Sequence, residues 1–540
     1  MRAHSVSSRP HVQGSAAPLR LRHAAGELTD GAGLLLVRRL WDRLGLGERI
    51  DLQATWLGGA YRPSLMVELW VVLLLYGGGR MDDLRLLAGR GIRRLFGWEE
   101  LPDATTFGRW LRRGGERLAQ QLDTVLWQMV RARWAVNGVP TAVMLVLDST
   151  VIQRYGLKQA GAEKGYNPKK KGRPSHHPLV AFLVGTGDCL GVRWRPGNAN
   201  TAAGAVPWIQ TLVGQLRAAG VERITVRLDK GFFSRQMVEA LEALGVSYAL
   251  KVPDHAWVRS RLSPYRRSAK DPSLWTASGT LYGVRLLTTQ RRREVAGPDE
   301  LALGSYEVEK TAHVLTNVEG ISALSAWRLY NQGALVEQRI EELGQLSVGA
   351  TAVDDLGGNH LLWALGALAY ELLHTIRTTA LSGSWRRAQP KRLRAWLLRL
   401  PAKLTAHARK QYVQLQRAEP LRRELLQALR RIGTGPASAP LPPPCTGSRP
   451  EKSVGSPCGC RIRVERVPFV AHWESICTDA HHCKRYGGSG TELHGARSPA
   501  LNDQGSGAEG RSRGQAEAIA PEHTTRVKNM YGPSSPSSAN

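Results

Sequence analysis

The stretch Ala142-Val-Met-Leu-Val-Leu-Asp148 decides how the chain is read, because an unbroken apolar run ends abruptly on a carboxylate. A short run of this kind suits a strand buried on both faces of a sheet. A buried, unpaired carboxylate is costly, so Asp148 marks where the strand leaves the core. The same pattern recurs at Ile224-Thr-Val-Arg-Leu-Asp229. Between the two, residues 179–184 and 190–194 read as strands joined by the turn Gly185-Thr-Gly-Asp188, and residues 201–218 read as a helix. After Asp229 come a helix at 234–244 and a strand at 246–252. Three strands, helix, strand, helix, strand is the element order of an α/β core of the RNase-H-like (retroviral-integrase-like) class.

Outward from this core, covering residues 139–254, the periodicity changes. Residues 31–138 carry apolar positions at helical spacing (Leu34, Val37, Leu40; Leu65, Leu69; Leu84, Leu87), predicting an N-terminal helical domain. Within it, Leu101-Pro-Asp-Ala-Thr-Thr-Phe-Gly-Arg-Trp-Leu-Arg-Arg reads as a loop, a cap at Asp103 or Thr105, and a basic amphipathic helix. That helix suits either a DNA reader or ordinary packing with a solvated arginine face. Residues 255–318 read as a β-rich insertion with strands at 281–289 and 305–315. Residues 319–433 carry helical patterning at 325–346 and 359–381, then a very basic helical end over 392–431. Residues 1–30 read as a flexible arm, and 434–540, rich in Pro, Ser and Gly, as a disordered tail.

Composition narrows the partners. The 540 residues hold 74 Lys and Arg against 45 Asp and Glu, a formal charge of +29. Spread along the chain, that excess points to a polyanion, with arginine-favouring codon bias as a contributor. The basic, polar start of the chain lacks the apolar segment of a signal peptide. The longest apolar runs, 65–76 and 361–373, fall short of the ~20 residues that span a bilayer. Each contains a glutamate (Glu68, Glu371), so both read as buried core helices, with no membrane partner. Of six cysteines only Cys189 precedes residue 440, which suits a reducing cytoplasm.

Two aspartates at strand ends of one sheet, in a basic chain, suggest a metal site. Hard divalent cations such as Mg2+ take carboxylate oxygens and phosphate oxygens together. Two such ions about 3.5–4 Å apart serve phosphoryl transfer. A third carboxylate is needed, and Glu337, Glu341, Glu342, Asp354 and Asp355 all qualify by position.

The segments Leu147-Asp-Ser-Thr-Val151, Gly165-Tyr-Asn-Pro-Lys-Lys-Lys-Gly-Arg-Pro-Ser-His-His-Pro-Leu179, Arg195-Pro-Gly-Asn-Ala-Asn-Thr201 and Arg227-Leu-Asp-Lys-Gly-Phe-Phe233 resemble DDE transposases of bacterial insertion sequences. The resemblance is nearest to the insertion-sequence family numbered 1380 and covers roughly residues 30–430. That family places its third carboxylate on a helix in the pattern Tyr-x2-Arg-x3-Glu-x6-Lys, which Tyr330 and Glu337 match. The resemblance implies Asp148, Asp229 and Glu337 as metal ligands for two Mg2+ (or Mn2+) ions. Asp148 would bridge both, and Asp229 and Glu337 would each complete one side. It further implies cleavage and joining of double-stranded DNA at the element's ends, a homodimer assembled on DNA, and a place in the bacterial nucleoid. Two positions depart from the pattern: its Arg is Gly333 here and its Lys is Gly344. Tyr330 and Arg339 are candidate DNA contacts, Arg339 as a substitute for the missing phosphate contacts. A nuclease that cuts without joining, and a DNA-binding relic, are the competing readings.

Lys169, Lys170, Lys171 and Arg173 form a cationic loop expected to touch DNA phosphates. Arg195 either faces DNA or ends a strand, and His176 and His177 read as surface loop residues. Cys458, Cys460, Cys477, His481, His482 and Cys483 lack a standard zinc-finger spacing and read as incidental.

Overall fold

A computed structural model describes residues 27–155, 158–167, 170–295, 305–332, 334–346, 353–407, 410–417 and 419–434. The expected tail, Gly333, Lys169 and the cysteine–histidine cluster lie outside the described residues, as does most of the expected arm. The strands of the central sheet are β1 (Ala142–Ser149), β2 (Leu179–Val184), β3 (Cys189–Arg193), β4 (Arg223–Leu228) and β5 (Ser247–Val252). They continue as β6 (Arg266–Arg267), β7 (Leu274–Leu281), β8 (Val284–Val295) and β9 (Ser305–Thr316). They lie in the order β6-β7-β8-β9-β5-β4-β1-β2-β3. The pairs β1–β4 and β4–β5 are parallel, and all other neighbours are antiparallel. The region expected as an insertion therefore extends the core sheet: β9 pairs with β5 through His313–Val252 and Leu315–Leu250.

The fold is mixed α/β because the two faces of β1 and β2 are covered by different helices. One face, with Leu145, Leu147, Ala181 and Leu183, packs on α3 (Ala205–Ala218) and α4 (Arg235–Ala243), counting helices from α1 (Pro63–Tyr76) and α2 (Ala104–Asn137). The other face, with Met144, Val146, Val180 and Phe182, joins the N-terminal helices in one continuous core. That core also takes in two buried residues of α6 (Ala334–Gln345), which follows α5 (Ala323–Asn331), and much of α7 (Leu356–Thr375). The side chains of α2 from the predicted basic helix divide as expected: Phe107, Trp110 and Leu111 are buried, while Arg109, Arg112 and Arg113 are exposed. Asp103 caps this helix by accepting from the Thr106 N–H at 2.7 Å. Gly115, at φ 46°, breaks its regularity where α7 crosses.

Both apolar runs are buried helices, and their glutamates explain themselves. Glu68 accepts from Trp98 Nε1 at 2.9 Å and pairs with Arg38 at 3.2 Å. Glu371 accepts from the Cys189 N–H at 3.0 Å and pairs with Arg133, which also holds Asp188. No single helix among the described residues is long and apolar enough to cross a membrane.

Two expectations change. The basic end at 392–431 is not one helix: strands Ala402–His407 and Lys410–Gln414 form a hairpin, and Glu27–Thr29 adds a third strand from within the expected arm. Alternating burial at Ala402 and Leu404 against exposed Lys403 is a strand signal that the density of cations obscured. The helix expected over 325–346 is two helices, α5 ending at Asn331 and α6 starting at Ala334. The sequence between them contains a glycine, a poor helix former.

Candidate active site

Parallel pairing places the two aspartates side by side. β1 and β4 run in register from Ala142–Arg223 to Val146–Arg227, so the same register carried on two residues sets Asp148 beside Asp229. Both emerge at the C-terminal ends of adjacent parallel strands, where an open sheet offers a ligand crevice. Alternation along the strands puts Val146, Asp148, Arg227 and Asp229 on one face. On β5, Ala249 and Lys251 share that face, because Arg227 is paired with Ala249.

Two helices close the cleft over this face. Ser322 caps α5 by accepting from the Ser325 N–H at 3.2 Å. Ala326 and Tyr330 of that helix pack on Ala249, Leu287 and Val314. The Tyr330 hydroxyl donates to Asp229 Oδ1 at 2.8 Å. Helix α6 buries Val336 and Leu343, with Leu346 just beyond its end, and presents Glu337 from its exposed side. The result is a cleft of about 290 Å3 lined by Asp148, Arg227, Asp229, Lys251, Tyr330, Asn331 and Glu337.

The other carboxylates that sequence position left open have different partners. Glu342 is buried between Arg339 at 2.8 Å and Arg377 at 3.2 Å. Asp354 pairs with Arg112 at 2.7 Å, and Asp355 caps α7 by accepting from the Gly358 N–H. Glu341 is exposed and outside the cleft.

Charge is concentrated at Asp148. Burial pushes its carboxyl up to about 6, and the negative charges of Asp229 and Glu337 push the same way. Arg227 and the Ser149 N–H, which donates at 2.8 Å, oppose the rise without cancelling it. Burial also holds the Lys251 ammonium below its usual value, assisted by neighbouring cations and opposed by Asp229. Burial raises the Tyr330 hydroxyl. Arg227 and Lys251 lie 4.3 and 5.3 Å from the Tyr330 ring centre, within cation–π range.

This donor set suits a hard divalent cation in kind, because three carboxylates share one cleft and the charges of two of them raise the proton affinity of Asp148. Among the described residues, no three His, Cys, Asp or Glu side chains converge tightly enough to hold one ion together.

The remaining expected residues fall elsewhere. Lys170, Lys171 and Arg173 are exposed, and the Lys170 ammonium lies 5.8 Å from the Tyr155 ring centre. Arg195 is buried and donates to the carbonyls of His177, Asn200, Thr201 and Ala203 at 2.8–3.2 Å, so it ties a loop together. Arg339 turns to Glu342 and lies outside the cleft. His176 and His177 are buried, correcting their reading as surface residues. Their ring nitrogens lie 2.9 and 3.3 Å from the carbonyls of Ala160 and Ala199, which packs the loop inward. Sequence reasoning passed over Arg227 and Lys251 as site residues. The available signal was a cation inside each apolar strand, Arg227 two residues before Asp229 and therefore on its face.

A family model described as "Transposase DDE domain group 1" matches residues 12–436. The chain belongs to that family. In this DDE transposase the matched span contains the central sheet and every residue of the cleft. No curated protein sequence matches the chain. Among solved structures, similarity is found to a piggyBac transposase in a synaptic complex with hairpin DNA, at 14% identity and a TM-score of 0.34. That match covers 76% of this chain and 86% of the other.

Proposed function

We propose that this transposase binds double-stranded DNA at the terminal inverted repeats of its own insertion sequence, cuts there and joins the freed ends to a target. The supporting observation is one cleft lined by Asp148, Asp229 and Glu337, carboxylates drawn from three separated segments of the chain. Its setting, with strands in the order β3-β2-β1-β4-β5 and helices on both faces, supports an RNase-H-like core. The resemblance of the motif segments to the insertion-sequence family numbered 1380 supports this reading, which includes action in the bacterial cytoplasm at the nucleoid. Cutting two ends in one event calls for a homodimer on DNA.

Asp148, Asp229 and Glu337 would hold two magnesium or manganese ions. When bound, such ions activate the attacking oxygen and stabilise the leaving one in phosphoryl transfer. The chain's own groups fix the geometry. The Ser149 N–H orients Asp148 and the Tyr330 hydroxyl orients Asp229. Glu342, clasped by Arg339 and Arg377, anchors the helix that carries Glu337. The exposed cations of the 170–173 loop supply contacts to the DNA backbone.

The test supplies duplexes already cut at the element's end, with a supercoiled plasmid as target. Joined product with magnesium and none with EDTA supports the transposase reading. Cutting of uncut ends without joining makes the protein a nuclease on this fold. Binding without either reaction makes it a relic.

A further inference from the structure

The resemblance puts an arginine and a lysine at positions 333 and 344 of the carboxylate-bearing segment, and both are glycine here. At Gly344 the absence is not steric, since a Cβ built there meets nothing within 4 Å. The cleft nevertheless contains one arginine and one lysine, supplied by strands instead of by the helix. Arg227 projects from β4 and Lys251 from β5, both beside the Tyr330 ring.

Arg227 has the features of a residue awaiting a ligand. It is only 6% exposed, it lines the cleft, and its Nε–H is buried with no hydrogen-bond partner among the described residues. A buried donor left unsatisfied is destabilising, so such a group marks a place where an acceptor is missing. The planar guanidinium matches two oxygens of a phosphate, and an ammonium adds a point charge beside it. Arg227 and Lys251 are the cations that line the cleft, beside the point where DNA would be cut.

We propose that Arg227 and Lys251 form a phosphate clamp that grips a backbone phosphate of the DNA next to the carboxylates. They carry out on the sheet the work that the resemblance assigns to positions 333 and 344. The Tyr330 ring holds the two cations together, and its hydroxyl ties the clamp to Asp229. This inference rests on the DNA-cutting reading above.

The test uses the full chain and an end duplex, with binding followed by fluorescence anisotropy in EDTA from 50 to 200 mM KCl. Each phosphate contact contributes about 0.9 to the slope of log affinity against log salt. Lys251→Gln should bind more weakly and lose about 0.9 of that slope, so its deficit against wild type shrinks about 3.5-fold over this range. Lys251→Arg should restore the slope. Neutral methylphosphonates, placed singly at phosphates around the cut, locate the contact. At one or two positions they should weaken wild type several-fold and weaken Lys251→Gln, which keeps Arg227, distinctly less. Arg227→Lys, checked for folding by circular dichroism, should show the same positional pattern in milder form. An unchanged slope in Lys251→Gln, or losses that add at every methylphosphonate position, would overturn the clamp. If wild type also cuts with magnesium, that failure is the clamp's alone. If wild type neither cuts nor joins, the parent reading fails and takes the clamp with it.

Discussion

Replacing Asp148 by Asn should make the metal-free protein more stable near neutral pH, although it removes a residue of the proposed catalytic centre. Burial, aided by Asp229 and Glu337, holds the Asp148 carboxyl up to about 6 against an ordinary 3.8. With the folded value raised, stability is fully present below the ordinary value and declines as pH rises, because the unfolded chain ionises first. A difference of about two in pKa corresponds to a loss of about 3 kcal/mol above pH 6, and of about 0.5 kcal/mol at pH 4. Asparagine retains an oxygen to accept from the Ser149 N–H and carries no charge to desolvate. Urea midpoints measured in EDTA should therefore be higher for Asp148→Asn at pH 7.5 and should converge at pH 4. Glu68 and Asp123 are also raised to about 6 by burial, so the readout is the difference between the two proteins at each pH. A less stable variant at pH 7.5, or a difference independent of pH, would refute the reasoning.

Arg377→Ala leaves buried Glu342 short of a partner and should lower stability by about 3 kcal/mol in urea titrations. Magnesium-dependent cleavage should fall with it, because Glu342 anchors the helix of Glu337. Gly197→Ala would bring a Cβ to 2.0 Å from the Ser175 carbonyl and 2.3 Å from that of Glu163, where backbone cannot yield. A loss of about 2–3 kcal/mol is expected, read as a lowered thermal midpoint. Replacing Lys170, Lys171 and Arg173 together by glutamine should leave the thermal midpoint unchanged while reducing the salt slope of DNA binding by up to about 2.7. An unchanged slope would make that loop merely solvated.

The core was legible because its signals are local. The apolar runs ending at Asp148 and Asp229 can be seen without knowing any long-range contact, and the strands fall within one or two residues of where the patterns put them. The third carboxylate was not legible from periodicity. Glu337, Glu341 and Glu342 all lie on one helix, and only packing shows that Glu342 faces Arg377 while Glu337 faces the cleft. The motif segments held a further ambiguity between touching DNA and holding a loop. Arg195 and Gly197 hold the loop: one ties four carbonyls together, and the other has no room for a side chain. The C-terminal hairpin escaped notice because its strands are dense in cations, and its third strand, Glu27–Thr29, is more than 370 residues away in sequence. No window along the chain can contain such a pairing.

The central claim is that Asp148, Asp229 and Glu337 form one metal-dependent cutting centre. The measurement that meets it most directly is magnesium-dependent cleavage of a labelled end duplex by wild type, Asp148→Asn, Asp229→Asn and Glu337→Gln, with binding to the same duplex measured in parallel. The account predicts that all four proteins bind and that only wild type cuts. Cutting at the wild-type rate by Glu337→Gln would contradict it and move the third carboxylate elsewhere.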